Sequence, residues 1–190
     1  VNGNTWPYLD VEKRRYRFRF LNGCDARFLI LDFSGVPGVE VWIIGNEGGF
    51  LAAPVNLTAT NGNKLLMGPA ERADVIVDFT NVPNGHYVLG NVGPDAPFGE
   101  LPLEPDELAD PNSTGQIMQF RVGPALAADK STPPQFLTLP SITPISVANA
   151  KVRRLALLEN MSQYTDGPAE ALLGTVVGDP TVGDPLDPTT

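Results

Sequence analysis

Two residue types in this sequence have the affinity to hold a redox metal, and each occurs once: His86 and Cys24. A blue-copper centre needs two imidazoles, a thiolate and usually a methionine as weak axial ligand. Structural zinc takes cysteine and histidine in fours, and catalytic zinc draws on more than one histidine. A single imidazole and a single thiol complete neither set. Nucleophilic catalysis would need His86 as base, a serine or Cys24 as nucleophile, and an aspartate to orient the base. The chain has no Gly-x-Ser-x-Gly elbow and no glycine-rich phosphate loop of either common type. Carboxylates of the acidic stretch Glu100–Asp110 could approach Ca²⁺, but without EF-hand spacing. His86 follows Asn84-Gly85 and opens a strand, where a solvent-facing or hydrogen-bonded imidazole is expected. Cys24, between two strands, is expected to be a small buried or half-buried residue. The chain's own residues offer no catalytic apparatus.

One further concentration of charge stands directly before an apolar run, in "GPAERADVIVDF", Gly68–Phe79. Glu71, Arg72 and Asp74 are either an active-site loop or a turn that pins the strand. Pro69 fixes the backbone, and the planar fork of Arg72 suits bridging carboxylates or loop carbonyls. A structural turn is the expectation. If Arg72 is buried, losing its partner would cost about 3–5 kcal/mol. Arg72→Ala should then lower the melting temperature and leave ligand binding unchanged.

The elements that must position these groups are short strands. Glycine and proline number nineteen each, a turn-rich composition that disfavours long helices. Arg15–Asn22 alternates Arg15, Arg17 and Arg19 with Tyr16, Phe18 and Phe20. Period two places the arginines on a solvated outer face and the aromatics inside. Further strands are expected at Arg27–Phe33, Val39–Ile44, Asp74–Phe79, His86–Gly90 and Gln116–Val122. Gly45–Leu51 reads as a loop, and Val55–Thr60 with Lys64–Met67 as a hairpin about Asn61-Gly62-Asn63. Gly93–Gly115, rich in proline and acidic residues, reads as a long exposed loop. About seven or eight strands over the first 122 residues predict an antiparallel sandwich. Residues 123–150 read as a Pro-rich linker, and 151–190 add one strand at Arg153–Glu159. The tail "GDPTVGDPLDPTT" contributes little to a core, so it is either disordered or cut off ahead of the element it joins, and truncation is the expectation.

A net charge of −9 and the lack of a basic face argue against nucleic acid. No apolar run approaches the roughly 18–20 residues of a membrane span. One cysteine rules out a disulfide within the chain. The Asn-x-Ser/Thr triplets at Asn56, Asn112 and Asn160 matter only in a secreted eukaryotic protein.

Several stretches together resemble a known family. "VNGNTWPYLDVEKRRYRFRFLNGCDARF", "IIGNEGGFL", "GPAERADVIVDF" and "IMQFRV" follow the order of the middle cupredoxin domain of bacterial multicopper oxidases. The resemblance is to the spore-coat laccase, bilirubin oxidase and phenoxazinone synthase types. "RRLALLE", "EALLG" and "DPLDPTT" look like the start of the third cupredoxin domain. The resemblance implies an all-β, Greek-key, cupredoxin-like sandwich over 1–122, a linker at 123–150 and a truncated following domain at 151–190. It implies copper in the intact parent, held by His-x-His and His-Cys-His motifs that this chain lacks, and no copper in this piece. The implied partners are the first and third cupredoxin domains of the same polypeptide, with self-association where their contact surfaces are bared. An extracytoplasmic or spore-coat-like location is implied as well. The parent would oxidise phenolic or related substrates and reduce O₂ to water, with this piece as a non-catalytic scaffold. In the spore-coat type, the loop matching Asn91–Gly99 lies near the approach to the type 1 copper. Gly93, Pro94, Phe98 and Gly99 are the candidate substrate-entrance residues, although the family's Gly-Cys-Gly is missing there.

Two rivals stand beside this reading. A free-standing sandwich could bind carbohydrate or protein through its acidic loop, and exposure of Trp6 or Trp42 would favour it. A single-domain copper protein is opposed by the donor count.

Overall fold

The computed structural model describes residues 1–96, 98, 99, 103, 105–165 and 167–175. The chain forms two compact units, Val1–Ile142 and Thr143–Thr190. In the first unit the strands are β1 (Tyr8–Glu12), β2 (Arg15–Leu21), β3 (Leu29–Asp32), β4 (Glu40–Asn46), β5 (Gly49–Asn56), β6 (Lys64–Met67), β7 (Arg72–Asp78), β8 (Gly85–Asn91) and β9 (Gln116–Gly123). They make a five-stranded sheet, β1-β9-β8-β3-β6, and a four-stranded sheet, β2-β7-β4-β5. Among the described residues, β1 and β9 are the one parallel pair and the other strand pairs are antiparallel. The chain crosses repeatedly between the sheets, which gives the sandwich its Greek-key character.

The core follows from strand alternation. Val75 and Val77 of β7, Val41 of β4, Leu89 of β8 and Phe120 of β9 point inward and are wholly buried. Phe79 meets Phe120 edge-on at 5.1 Å, and Tyr16, Phe18 and Phe20 pack against this cluster from β2. The expected aromatic inner face of that strand is therefore present.

Two local expectations fail. Gly45–Leu51 is a hairpin and not an open loop. Asn46 pairs with Gly49, and Glu47 and Gly48 take φ of 52° and 84°, the left-handed conformations a two-residue β-turn requires. Residues 57–60 form a helical turn, α1 (Leu57–Thr60), instead of a strand. The Asn56 side chain caps it by accepting from Ala59 N at 3.1 Å, and Leu57 is buried beneath it. β6 accordingly pairs with β3 and not with the preceding segment. Asn61–Asn63 thus carries the chain from one sheet to the other.

The Pro-rich segment after β9 is docked and does not hang free. Leu126 N donates to Glu12 Oε2 at 3.0 Å, and Arg15 N donates to Asp129 Oδ2 at 2.9 Å. The segment continues through a 3-10 turn at Pro134–Phe136. It forms a strap on the outer face of the four-stranded sheet. The arginine face of β2 is therefore not uniformly solvated: the Arg15 side chain is 14% exposed and that of Arg17 46%.

In the second unit, β10 (Leu155–Met161) and β11 (Pro168–Thr175) form an antiparallel hairpin with a register break between Asn160 and Met161. The sequence reading expected β10 but not β11. "DPLDPTT" lies outside the described residues. Among the described residues, no helix is long and apolar enough to cross a membrane.

Candidate functional site

The charged turn before β7 is built around a buried side chain that the sequence reading passed over. Asn22 is fully buried. Its Nδ2 donates to Arg27 O at 2.9 Å and to Met67 O at 3.0 Å, and its Oδ1 accepts from Cys24 N at 3.0 Å. Its backbone exchanges bonds with the turn: Ala70 N donates to Asn22 O at 2.9 Å and Asn22 N to Glu71 O at 3.1 Å. The Glu71 carboxylate closes the turn by accepting from Gly68 N at 2.7 Å. Ala70 sits at φ 63°, a strained conformation for a residue with a Cβ, held by these bonds.

Gly93 and Pro94 belong to a second, similar knot. Asn91 is 3% exposed, and its Oδ1 accepts from Ile30 N at 2.9 Å and Gly93 N at 3.0 Å. A Cβ on Gly93 would stand 2.9 Å from Phe28 O, so only glycine fits. Pro94 is fully buried and bridges to Leu108. The Phe98 ring stacks on Phe28 at 4.5 Å, whereas Gly99 is exposed with open space around it. Pro97 and Glu100 lie outside the described residues. Phe28 joins the two knots, because its ring also lies against Gly68, where an added Cβ would meet Cε1 at 3.1 Å. The structure thus brings Glu71, Gly93, Pro94 and Phe98 to one end of the sandwich. The only sequence sign of this was two asparagines at strand ends beside glycines.

Arg72 and Asp74 point elsewhere, to the outer face of the four-stranded sheet. Arg72 Nη1 pairs with Glu47 Oε2 at 2.9 Å and donates to Ala70 O at 3.0 Å, so it does bridge a carboxylate and a loop carbonyl. Burial was the wrong premise. The side chains of Arg72 and Glu47 are 51% and 52% exposed, and an exposed pair lacks the desolvation that makes an orphaned charge expensive. Asp74 accepts both forks of Arg17, Nε at 2.8 Å and also Nη2. Those bonds hold the Arg17 guanidinium above its ordinary pKa, with desolvation opposing.

His86 is exposed on β8, in register with Arg121 of β9. Cys24 is half-buried and lines a shallow cleft with Arg27 and Asp95. His86 lies on β8 and Cys24 in the loop between β2 and β3, and one imidazole with one thiol completes neither a copper nor a zinc donor set. Among the described residues, no three His, Cys, Asp or Glu side chains converge on a metal position. In the acidic loop, Asp110 accepts from Asn112 N and Ser113 Oγ, which lower its pKa, and Asp95 accepts from Thr114 Oγ1 at 2.7 Å. Among the described residues, no donor set fits a copper centre.

Trp6 is 54% exposed, the feature that would favour a carbohydrate-binding module, while Trp42 is half-buried with Nε1 donating to Glu40. Comparison with known proteins decides against that alternative. No family model matches the chain. A laccase of Bacillus subtilis (strain 168) is 35% identical over 158 residues, 82% of this chain and 28% of the laccase. The multicopper oxidase LPR1 of Arabidopsis thaliana is 33% identical over 166 residues, 86% of this chain and 25% of that protein. The crystal structure of the McoA multicopper oxidase from the hyperthermophile Aquifex aeolicus superposes with a TM-score of 0.58 at 35% identity. That match covers 81% of this chain and 30% of McoA. The chain spans less than a third of the length of these relatives.

Proposed function

The chain belongs to the multicopper oxidases, and from that premise we propose that it is the middle, copper-free scaffold domain of such an enzyme, followed by the start of the next domain. The intact enzyme is a copper protein. One observation carries the copper-free reading: the chain has a single histidine, on β8, and a single cysteine, in the loop between β2 and β3. The parent reaction we propose is one-electron oxidation of phenolic or related substrates with reduction of O₂ to water. None of its steps is assigned to residues of this chain. The division into 1–122, 123–150 and 151–190 belongs to the same reading, with first and third cupredoxin domains as partners. In its support, the hairpin β10–β11 leaves Leu157 86% and Leu173 66% exposed, as befits two strands of a larger sheet. Those bared leucines should make the isolated chain self-associate.

What these residues do in this role is hold a shape. The Asn22 and Asn91 knots lock one end of the sandwich, and the strap covers part of an outer face. Gly93, buried Pro94 and Phe98 stacked on Phe28 would serve as a wall beside the substrate approach, with Gly99 exposed at its edge. The test is a Cu²⁺ titration of the purified chain followed by an assay for phenol oxidation. The expected result is no intense blue band and no turnover. A tightly held blue ion, or turnover by the chain alone, would overturn the proposal.

A further inference from the structure

The outer face of the four-stranded sheet carries its own example of how a segment docks there. Asp129 of the strap meets Arg15 of β2 at 3.3 Å, and Ser131 O accepts from Arg15 Nη2 at 2.8 Å. Leu137, Leu139 and Pro140 line a shallow cavity together with Ile44, Phe50 and Ile76 of the sheet. The recipe is one carboxylate for a β2 arginine and leucine or proline over an apolar floor.

Immediately beside it lies a second groove of about 480 Å³, which shares Arg17 and Phe50 with the first and is lined also by Arg19, Leu21, Asp74 and Arg72. Its floor is apolar, with Leu21 65% and Phe50 40% exposed and the Arg17 guanidinium 5.5 Å from the centre of the Phe50 ring. Arg15, Arg17 and Arg19 occupy successive outward positions on β2. Arg15 is taken by Asp78 and Asp129, and Arg17 by both oxygens of Asp74. Arg19 stands directly across from Asp74 in the ladder, yet has no carboxylate of its own among the described residues. A guanidinium whose facing carboxylate is engaged by Arg17, beside exposed leucine and phenylalanine, repeats the strap site with the strap missing.

We propose that this groove receives a second strap: an extended segment from a neighbouring domain of the parent polypeptide. It presents one carboxylate to Arg19 and leucine or proline side chains to Leu21 and Phe50. The source of the segment rests on the multicopper-oxidase reading, whereas the recognition chemistry rests on the groove alone. Charge complementarity selects the occupant, since an acidic segment is the one that satisfies Arg19.

The probe is a synthetic peptide with the strap's own sequence, Ala125–Pro140, titrated by calorimetry into the intact chain at low and high salt. A second peptide carries Asp129→Asn. Binding is expected, weakening with salt. Arg19→Gln in the chain, or Asp129→Asn in the peptide, should each weaken it by about two- to fivefold. The two changes together should lose little more than either alone, which identifies them as partners. Arg19 is exposed, so the variant should keep the melting temperature of the unaltered chain. No binding at millimolar peptide, or affinity indifferent to Arg19→Gln, would overturn the site. Concentration-dependent sedimentation abolished by Arg19→Gln would place a second copy in the groove and overturn the assigned occupant. A blue copper band in the chain would sink the scaffold reading without touching this titration, so the two proposals fail separately.

Discussion

Replacing Asp129 by asparagine should destabilise the first unit by about 1–2 kcal/mol at neutral pH, and the loss should vanish in acid. Burial by itself would raise the Asp129 pKa. Hydrogen bonds from Arg15 N–H and from the Ser131 hydroxyl and N–H, with the Arg15 charge, outweigh that and take it from 3.8 down to about 2. A folded-state pKa below the unfolded value means that the ionised form is bound preferentially by the fold. The stabilisation is therefore full above the unfolded pKa, near 4, and disappears as pH falls from about 4 to about 2. At about 1.4 kcal/mol per unit, the shift corresponds to on the order of 2 kcal/mol, reduced somewhat because the strap lies at the surface. Arg15 keeps Asp78 at 3.4 Å in the variant, so no buried cation is orphaned and the larger penalty of a broken buried pair is not expected. For a unit of this size the effect is a fall of about 3–6 °C in melting temperature. Urea unfolding of both proteins between pH 2 and pH 7 gives the difference curve, and exchange of the Arg15 amide, which donates to Asp129, reports the strap locally. A difference that stays constant across that range, or is absent at pH 7, would refute the electrostatic account of the strap.

Arg72→Ala should cost under about 1 kcal/mol, measured by denaturant midpoint, because its pair with Glu47 is half in solvent. Asn22→Ala should cost about 2–4 kcal/mol by the same measurement, since it strands the carbonyls of Arg27 and Met67 and the amide of Cys24. Gly93→Ala should lower the melting temperature by several degrees, since its Cβ would stand 3.0 Å or less from Phe28 O, Asn91 Oδ1 and Ile30 N. If Gly93→Ala melts like the unaltered chain, the Asn91 knot is looser than described.

The sheet faces were legible because alternation needs no knowledge of the fold. Tyr16, Phe18 and Phe20 had to point one way and the arginines the other, whichever strand lay beside them. Strand pairing was less legible. Asn61-Gly62-Asn63 looks like a hairpin turn, yet the Asn56 cap turns the chain into α1 and sends β6 to the other sheet. The burial of Arg72 was misjudged because a charge before an apolar strand does not reveal on which side of the sheet its side chain will lie.

By itself, the sequence determined the outward and inward positions of β2, the turn-rich all-β character and the shortage of copper donors. These depend on backbone periodicity and composition, which are the same in any fold of the chain. Only the tertiary structure decided that Arg15 lies under a strap while Arg19 stands open, and that Phe28 ties together Gly68, Gly93 and Phe98. The three β2 arginines are equivalent in local pattern. What separates them is a contact spanning 114 positions, and contacts of that kind depend on the whole path of the chain.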